Sequence, residues 1–178
     1  MANAEMGTVL TVLCNSEAID PGDSSIYMPT AEQLELWTNK AVKETSIEAD
    51  YGDQLELSIA YVDSDGMQAL NKQYRDSDRP TNVLTFSAIE ELAHPSLEVT
   101  GLLGDIVLCP KIIQDEAVEQ GKPIEHHFAH LVVHGVLHLG GMDHHAQKEA
   151  EAMEQAEIQI LSSLDIPDPY NSVFSQSK

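Results

Sequence analysis

The apolar positions of this chain fall into short blocks whose period switches between two and roughly four. Residues 8–14 are a β-rich apolar run and read as a strand. Residues 15–29 are polar, with two prolines and a glycine, and read as a loop. From Thr30, a good helix cap, Leu34, Leu36, Trp37, Ala41 and Val42 recur near helical spacing and predict a helix to about residue 45. Leu55, Leu57, Ile59 and Tyr61 alternate with Gln54, Glu56, Ser58 and Ala60, the pattern of a strand with one face inward. Asp63 or Ser64 caps a short helix carrying Met67, Leu70 and Tyr74, and a charged turn follows over 75–80. Strands are predicted at 82–87 and 101–109, with an acidic loop between them. Pro110 opens a helix to about residue 121, and Pro123 opens another that runs to Leu139 and stops at Gly140-Gly141. A last helix is predicted over 146–164, and the polar tail from Pro167 is expected to be loose.

This order describes one layered α/β domain over residues 1–178, with its core at about 8–165 and a loose C-terminal tail. The length of 178 residues agrees with one domain. No run of 18 apolar residues exists, so no membrane span is expected. The first residues carry no basic, apolar leader pattern. Cys14 and Cys109 lie far apart in apolar runs and read as buried thiols of a reducing cytoplasm. Charge alters the picture more. Thirty Asp and Glu face nine Lys and Arg, a formal charge of -21, which opposes a broad electrostatic grip on nucleic acid or an anionic membrane.

Seven of the eight histidines fall between His126 and His145. On a helix, His130, His134 and His138 share an arc of about 80°, and His134 and His138 stand about 6 Å apart along the axis. Burying several imidazoles without partners is costly, and a metal removes that cost, since neutral imidazole is a good zinc ligand. The glycine pair then brings the chain round to His144. His134, His138 and His144 are therefore the expected ligands of one zinc ion, with a fourth position left for water, as in catalytic sites. His130 reads as a supporting partner or as lining of the groove, and His126, His127 and His145 as core or surface residues. Gly135 stands where the peptidase pattern HExxH carries its glutamate base, which argues against a peptidase. It also suggests close packing of another element against the helix.

Both arginines, Arg75 and Arg79, lie near Lys72 in one turn. The turn reads either as an anion-recognition patch, with Arg75 on a phosphate, or as a capped turn with surface ion pairs. Asn82 can hydrogen-bond a substrate or fix the turn. Asp105, inside an apolar strand, can orient a metal-bound imidazole or tie down a backbone turn.

The run His134-Gly135-Val136-Leu137-His138-Leu139-Gly140-Gly141-Met142-Asp143-His144 resembles the HGxLHLxGxDH signature of the YbeY family of rRNA-maturation endoribonucleases. Tyr74-Arg75 with Arg79-Pro80-Thr81-Asn82-Val83-Leu84-Thr85-Phe86 resembles that family's arginine-containing segment, and Gly104-Asp105-Ile106 its GDI strand. The resemblance implies a zincin-like α+β fold with a small mixed sheet and one zinc ion on the three histidines. It implies a zinc-dependent, single-strand-specific endoribonuclease of 16S rRNA 3′-end maturation and ribosome quality control, with catalytic roles for Arg75 and His134. The implied partners are single-stranded RNA of the 16S precursor, the ribosome or small-subunit proteins, and an Era-like GTPase, in the cytoplasm and not on a membrane. Asp76 replaces the glycine usual after the arginine, and Met142 stands where an aromatic is common. Two rival functions are a ribosome-assembly factor with a mainly structural zinc site and a metallohydrolase acting on another substrate.

Overall fold

A computed structural model describes residues 9–15, 25–45, 47, 54–88, 101–142 and 147–171. The alternating and helical blocks become β1 (Val9–Asn15), α1 (Ala31–Glu44), β2 (Gln54–Tyr61), α2 (Ser64–Arg75), β3 (Val83–Ser87), β4 (Leu102–Leu108), α3 (Pro110–Glu119), α4 (Ile124–Leu139) and α5 (Gln147–Ser162). The strands form one mixed sheet in the order β1-β2-β4-β3. β1 and β4 both run parallel to β2, and β3 closes the far edge antiparallel to β4. This is the α+β fold with a small mixed sheet that the sequence led us to expect.

The inward residues of β2 (Leu55, Leu57, Ile59 and Tyr61) and of β4 (Leu103, Ile106 and Leu108) share one core with α1, α4 and α5. A smaller cluster of Met67, Leu84, Val107 and Cys109 binds α2 to the sheet. Thr30 caps α1 in a reciprocal box with Gln33, and Asp63 caps α2 through the Gly66 amide. Helix α4 is the centre of the structure. Phe128, Val132, Val133, Val136 and Leu137 have no solvent exposure, and each contributes roughly 1.5–3 kcal/mol by burial.

Gly135 confirms the expected close approach. A Cβ there would stand 2.9 Å from Ile106 Cδ1, so the missing side chain lets α4 settle onto β4. Between Glu56 and Leu57 of β2 the register slips past Leu103, which is the extra residue of a bulge followed by Gly104 at φ 135°.

Three local expectations need correction. Leu36 is 56% exposed, because the α1 face that meets the core is Leu34, Trp37, Thr38, Ala41 and Val42. Cys14 is exposed, since β1 is an edge strand with a partner on one side only, whereas Cys109 is buried. The first part of the tail is held: Lys122 Nζ donates to Pro169 O at 2.6 Å, and the Tyr170 hydroxyl reaches Glu157, while residues 172–178 lie outside the described residues. Asp76 caps α2 at φ 54°. Aspartate tolerates this left-handed conformation better than most side chains. No helix among the described residues is long and apolar enough to cross a membrane.

Candidate metal centre

From residue 127 to residue 139 every position of α4 is buried except His130, His134 and His138, which form one partly open stripe at four-residue spacing. The apolar residues around the rest of the helix are held by the sheet, α1, α3 and α5, so the stripe is the part of this stretch that keeps some exposure. Nε2 of His134 and Nε2 of His138 lie 3.1 Å apart with their rings at 81°. Two nitrogens each about 2.0–2.1 Å from one tetrahedral zinc stand roughly 3.3 Å apart, so this pair fits one ion with little movement. Beyond His138 the chain turns sharply. Met142 N donates to Leu137 O at 3.0 Å, and Gly141 takes φ 89°. His144, the third expected ligand, lies outside the described residues, as do Asp143 and His145. Among the described residues no three His, Cys, Asp or Glu side chains gather as a ligand set.

The carboxylate behind these histidines is not Asp105. Asp105 is exposed, because Ile106 and not Asp105 points at α4. The bulge at Leu103 shifts the alternation of β4 by one residue, so Ile106 takes the inward position and Asp105 the exposed one. The buried carboxylate beside them is Glu157 of α5, which has no solvent exposure. Its Oε1 accepts from His134 Nδ1 at 2.6 Å, and its Oε2 accepts from His130 Nε2 at 3.0 Å and from the Tyr170 hydroxyl. Burial alone would raise this carboxyl, but the hydrogen bonds from His130, His134 and Tyr170 hold it at about 2. The same contact, after burial, pushes the Tyr170 phenol up. His130 and His134 are therefore joined through one carboxylate. The sequence signal for Glu157 is its phase: it shares a helical face with Met153, Ile160 and Leu161.

A second network fixes the start of α4. Asn82 Nδ2 donates to both Glu116 oxygens, at 2.9 and 3.2 Å, and His127 Nε2 meets Glu116 Oε2 at 2.8 Å. Asn82 Oδ1 also accepts from the Val83 amide, so Asn82 fixes the turn. Burial works against the Glu116 anion, yet the hydrogen bonds from His127 and Asn82 bring its pKa below the ordinary carboxylate value. A depressed folded pKa contributes stability that is full above the unfolded value of 4.5 and fades as pH falls through the folded one. Glu116→Gln is thus expected to cost about 1 kcal/mol at neutral pH. The gap from wild type should narrow below that carboxylate range. Urea unfolding at a series of pH values checks this, and a gap constant down to pH 3 would contradict it.

Arg75 ends α2, is exposed, and donates through Nη2 to Thr85 O of the edge strand β3 at 3.0 Å. Beside it Tyr74 meets Phe86 edge-on at 5.0 Å. Lys72 is engaged by Asp78 at 2.8 Å. Arg79 offers its carbonyl to Asn71 Nδ2 at 2.7 Å. The turn therefore has the internal ion pair expected of a surface turn, and an exposed guanidinium at its edge.

Residues 20–165 match the model of the family described as Endoribonuclease YbeY. Two curated proteins named Endoribonuclease YbeY, from Chromohalobacter salexigens and Colwellia psychrerythraea, are each 45% identical over 143 residues, covering 80% of this chain and 88% of the relative. The solution structure of a Thermotoga maritima protein is similar at a TM-score of 0.52 and 26% identity, covering 90% of this chain and 99% of that one.

Proposed function

The chain belongs to the endoribonuclease YbeY family, and from that premise we propose a zinc-dependent, single-strand-specific endoribonuclease of 16S rRNA 3′-end maturation and ribosome quality control. The observation that carries the metal chemistry is the facing Nε2 pair of His134 and His138, with the His134 ring held from behind by Glu157. The third ligand is His144, by its place in the motif. A zinc ion held there would supply Lewis acidity to a phosphoryl oxygen and make a nearby water more acidic.

The chain's own residues do the rest. His134 and His138 present their Nε2 atoms to the site, and Glu157 holds the His134 ring through Nδ1, away from the ligand atom. Arg75 has five N–H donors, and Thr85 O takes only one of its nitrogens. The remaining donors suit a phosphate in bidentate geometry and the charge that grows on it during cleavage. In a chain of net charge -21, recognition of RNA is local to this edge or assisted by a partner. Small-subunit ribosomal proteins and an Era-like GTPase are the partners proposed here, with the cytoplasm as the compartment.

Arg75→Ala is expected to lower cleavage of labelled single-stranded RNA by about a hundredfold, the typical loss of one transition-state donor. Zinc content should be unchanged and stability within about 0.5 kcal/mol of wild type, as for an exposed side chain. Wild-type cleavage by a folded, zinc-bound Arg75→Ala protein would remove Arg75 from the mechanism. Zinc-bound wild type that cleaves neither single-stranded nor duplex RNA would favour the assembly-factor role.

A further inference from the structure

Glu157 lies 23 residues after His134 and on a different helix, yet its side chain is only 1% exposed and meets three donors. Carboxylate oxygens accept, and three donors converge on this pair: His134 through Nδ1 at 2.6 Å, His130 through Nε2 at 3.0 Å and Tyr170 through its hydroxyl. The His134 ring is then fixed in both orientation and tautomer, with the lone pair on Nε2, the atom that faces His138. Tyr170 arrives from the end of the described chain. Its ring stands edge-on to His130 at 5.4 Å between centroids. Ile166 packs into the main core, and Lys122 of the turn before α4 donates to Pro169 O at 2.6 Å. The segment 166–170 thus closes over α4 and completes the shell around the carboxylate.

We propose that Glu157 is the positioning residue of the metal site, and that Tyr170 is a clasp through which docking of the 166–170 segment raises metal affinity. Neither residue touches the metal or the substrate; both act through His134. The inference rests on the reading that His134 and His138 hold the ion. A carboxylate on the far nitrogen makes imidazole a better ligand and removes the entropy of choosing a tautomer, and losing such a partner typically weakens metal binding about 10–100-fold.

The test uses the full chain, with zinc alone as the probe. Zinc affinity is measured by chelator competition for wild type, Glu157→Gln and Tyr170→Phe, and the histidine ring nitrogens of the metal-free proteins are observed by NMR. Glu157→Gln is expected to bind zinc about 10–100-fold more weakly. It should also lose the single Nδ1–H form of His134, a signature that a merely structural role would not move. Tyr170→Phe should weaken zinc by about threefold, the effect of one hydrogen bond. A folded Glu157→Gln protein with wild-type zinc affinity and an unchanged His134 signature would overturn the proposal. Should Glu157→Gln not fold, Tyr170→Phe decides: weaker zinc binding supports the proposal and wild-type affinity overturns it. A wild-type chain that takes up no zinc at all overturns the metal reading itself, an outcome distinct from zinc binding that ignores Glu157 and Tyr170.

Discussion

His134→Ala is expected to strip the chain of zinc and to lower cleavage of single-stranded RNA by about a thousandfold or more. That size follows from removing several kcal/mol of charge stabilisation, at 1.36 kcal/mol for each factor of ten. The change deletes one of two nitrogens that face each other at 3.1 Å. It also takes one of three donors from Glu157, a carboxylate with no solvent exposure. A buried acceptor that loses a partner costs about 1–3 kcal/mol, so a lower melting temperature should accompany the lost activity. The protein should still fold, because the core of α4 is made by Phe128, Val132, Val133, Val136 and Leu137 and not by the histidine stripe. His138→Ala should share the catalytic loss. Metal content, thermal unfolding and RNA cleavage measured on the same preparations check the claim. Wild-type cleavage by either variant, with background nuclease excluded, would contradict it.

The largest expected loss of stability comes from Gly104→Ala. Gly104 has φ 135°, and a Cβ there would run into the backbone carbonyl of Phe86, while also standing 3.0 Å from Ala88 N and 3.1 Å from Leu139 Cδ2. The left-handed strain costs about 1–2 kcal/mol, and the backbone overlap can be relieved only by separating β3 from β4, for a total of roughly 3–5 kcal/mol. Domains of this kind are stable by only about 5–15 kcal/mol, so a large part of the fold's stability is at stake. Gly135→Ala makes a useful contrast. Its nearest neighbours are carbons of the Ile106 side chain at 2.9 and 3.2 Å, which can shift, so the cost should be nearer 1–3 kcal/mol. Urea unfolding of both variants tests the order. A Gly104→Ala protein that loses less than Gly135→Ala would mean that the bulge after Leu103 is softer than its geometry implies. Because Leu139 closes α4 next to Gly104, the same variant should also hold zinc less firmly.

Much of this was legible in the sequence where a local period carries the information. The His134–His138 pair follows from helical spacing alone, and the stop at Gly140-Gly141 follows from the residues that end helices. The packing role of Gly135 was also readable, because a glycine inside a strongly apolar helix needs a reason. Glu157 was not picked out. It is one of several acidic residues on α5, among them Glu149, Glu151 and Glu154, and only its phase with Met153, Ile160 and Leu161 distinguishes it. Asp105 misled for the opposite reason. Its neighbours are apolar, but the one-residue bulge at Leu103 breaks the strict alternation on which facing is judged. Tyr170 sits in a polar tail whose composition suggests looseness, and its anchoring depends on a carboxylate that the local sequence does not reveal. Contacts set by tertiary register, and not by spacing, were the ones missed.

One zinc ion at the end of α4 is expected to be required for cutting single-stranded RNA. Cleavage of an end-labelled single-stranded RNA, followed before chelation, after chelation, and after stepwise return of zinc, tests it most directly. Cleavage is expected to be lost on chelation and to recover fully at one equivalent of zinc per chain, with a matched duplex left intact throughout. Cleavage that survives complete removal of zinc from the wild-type chain, and persists in His134→Ala, would contradict it.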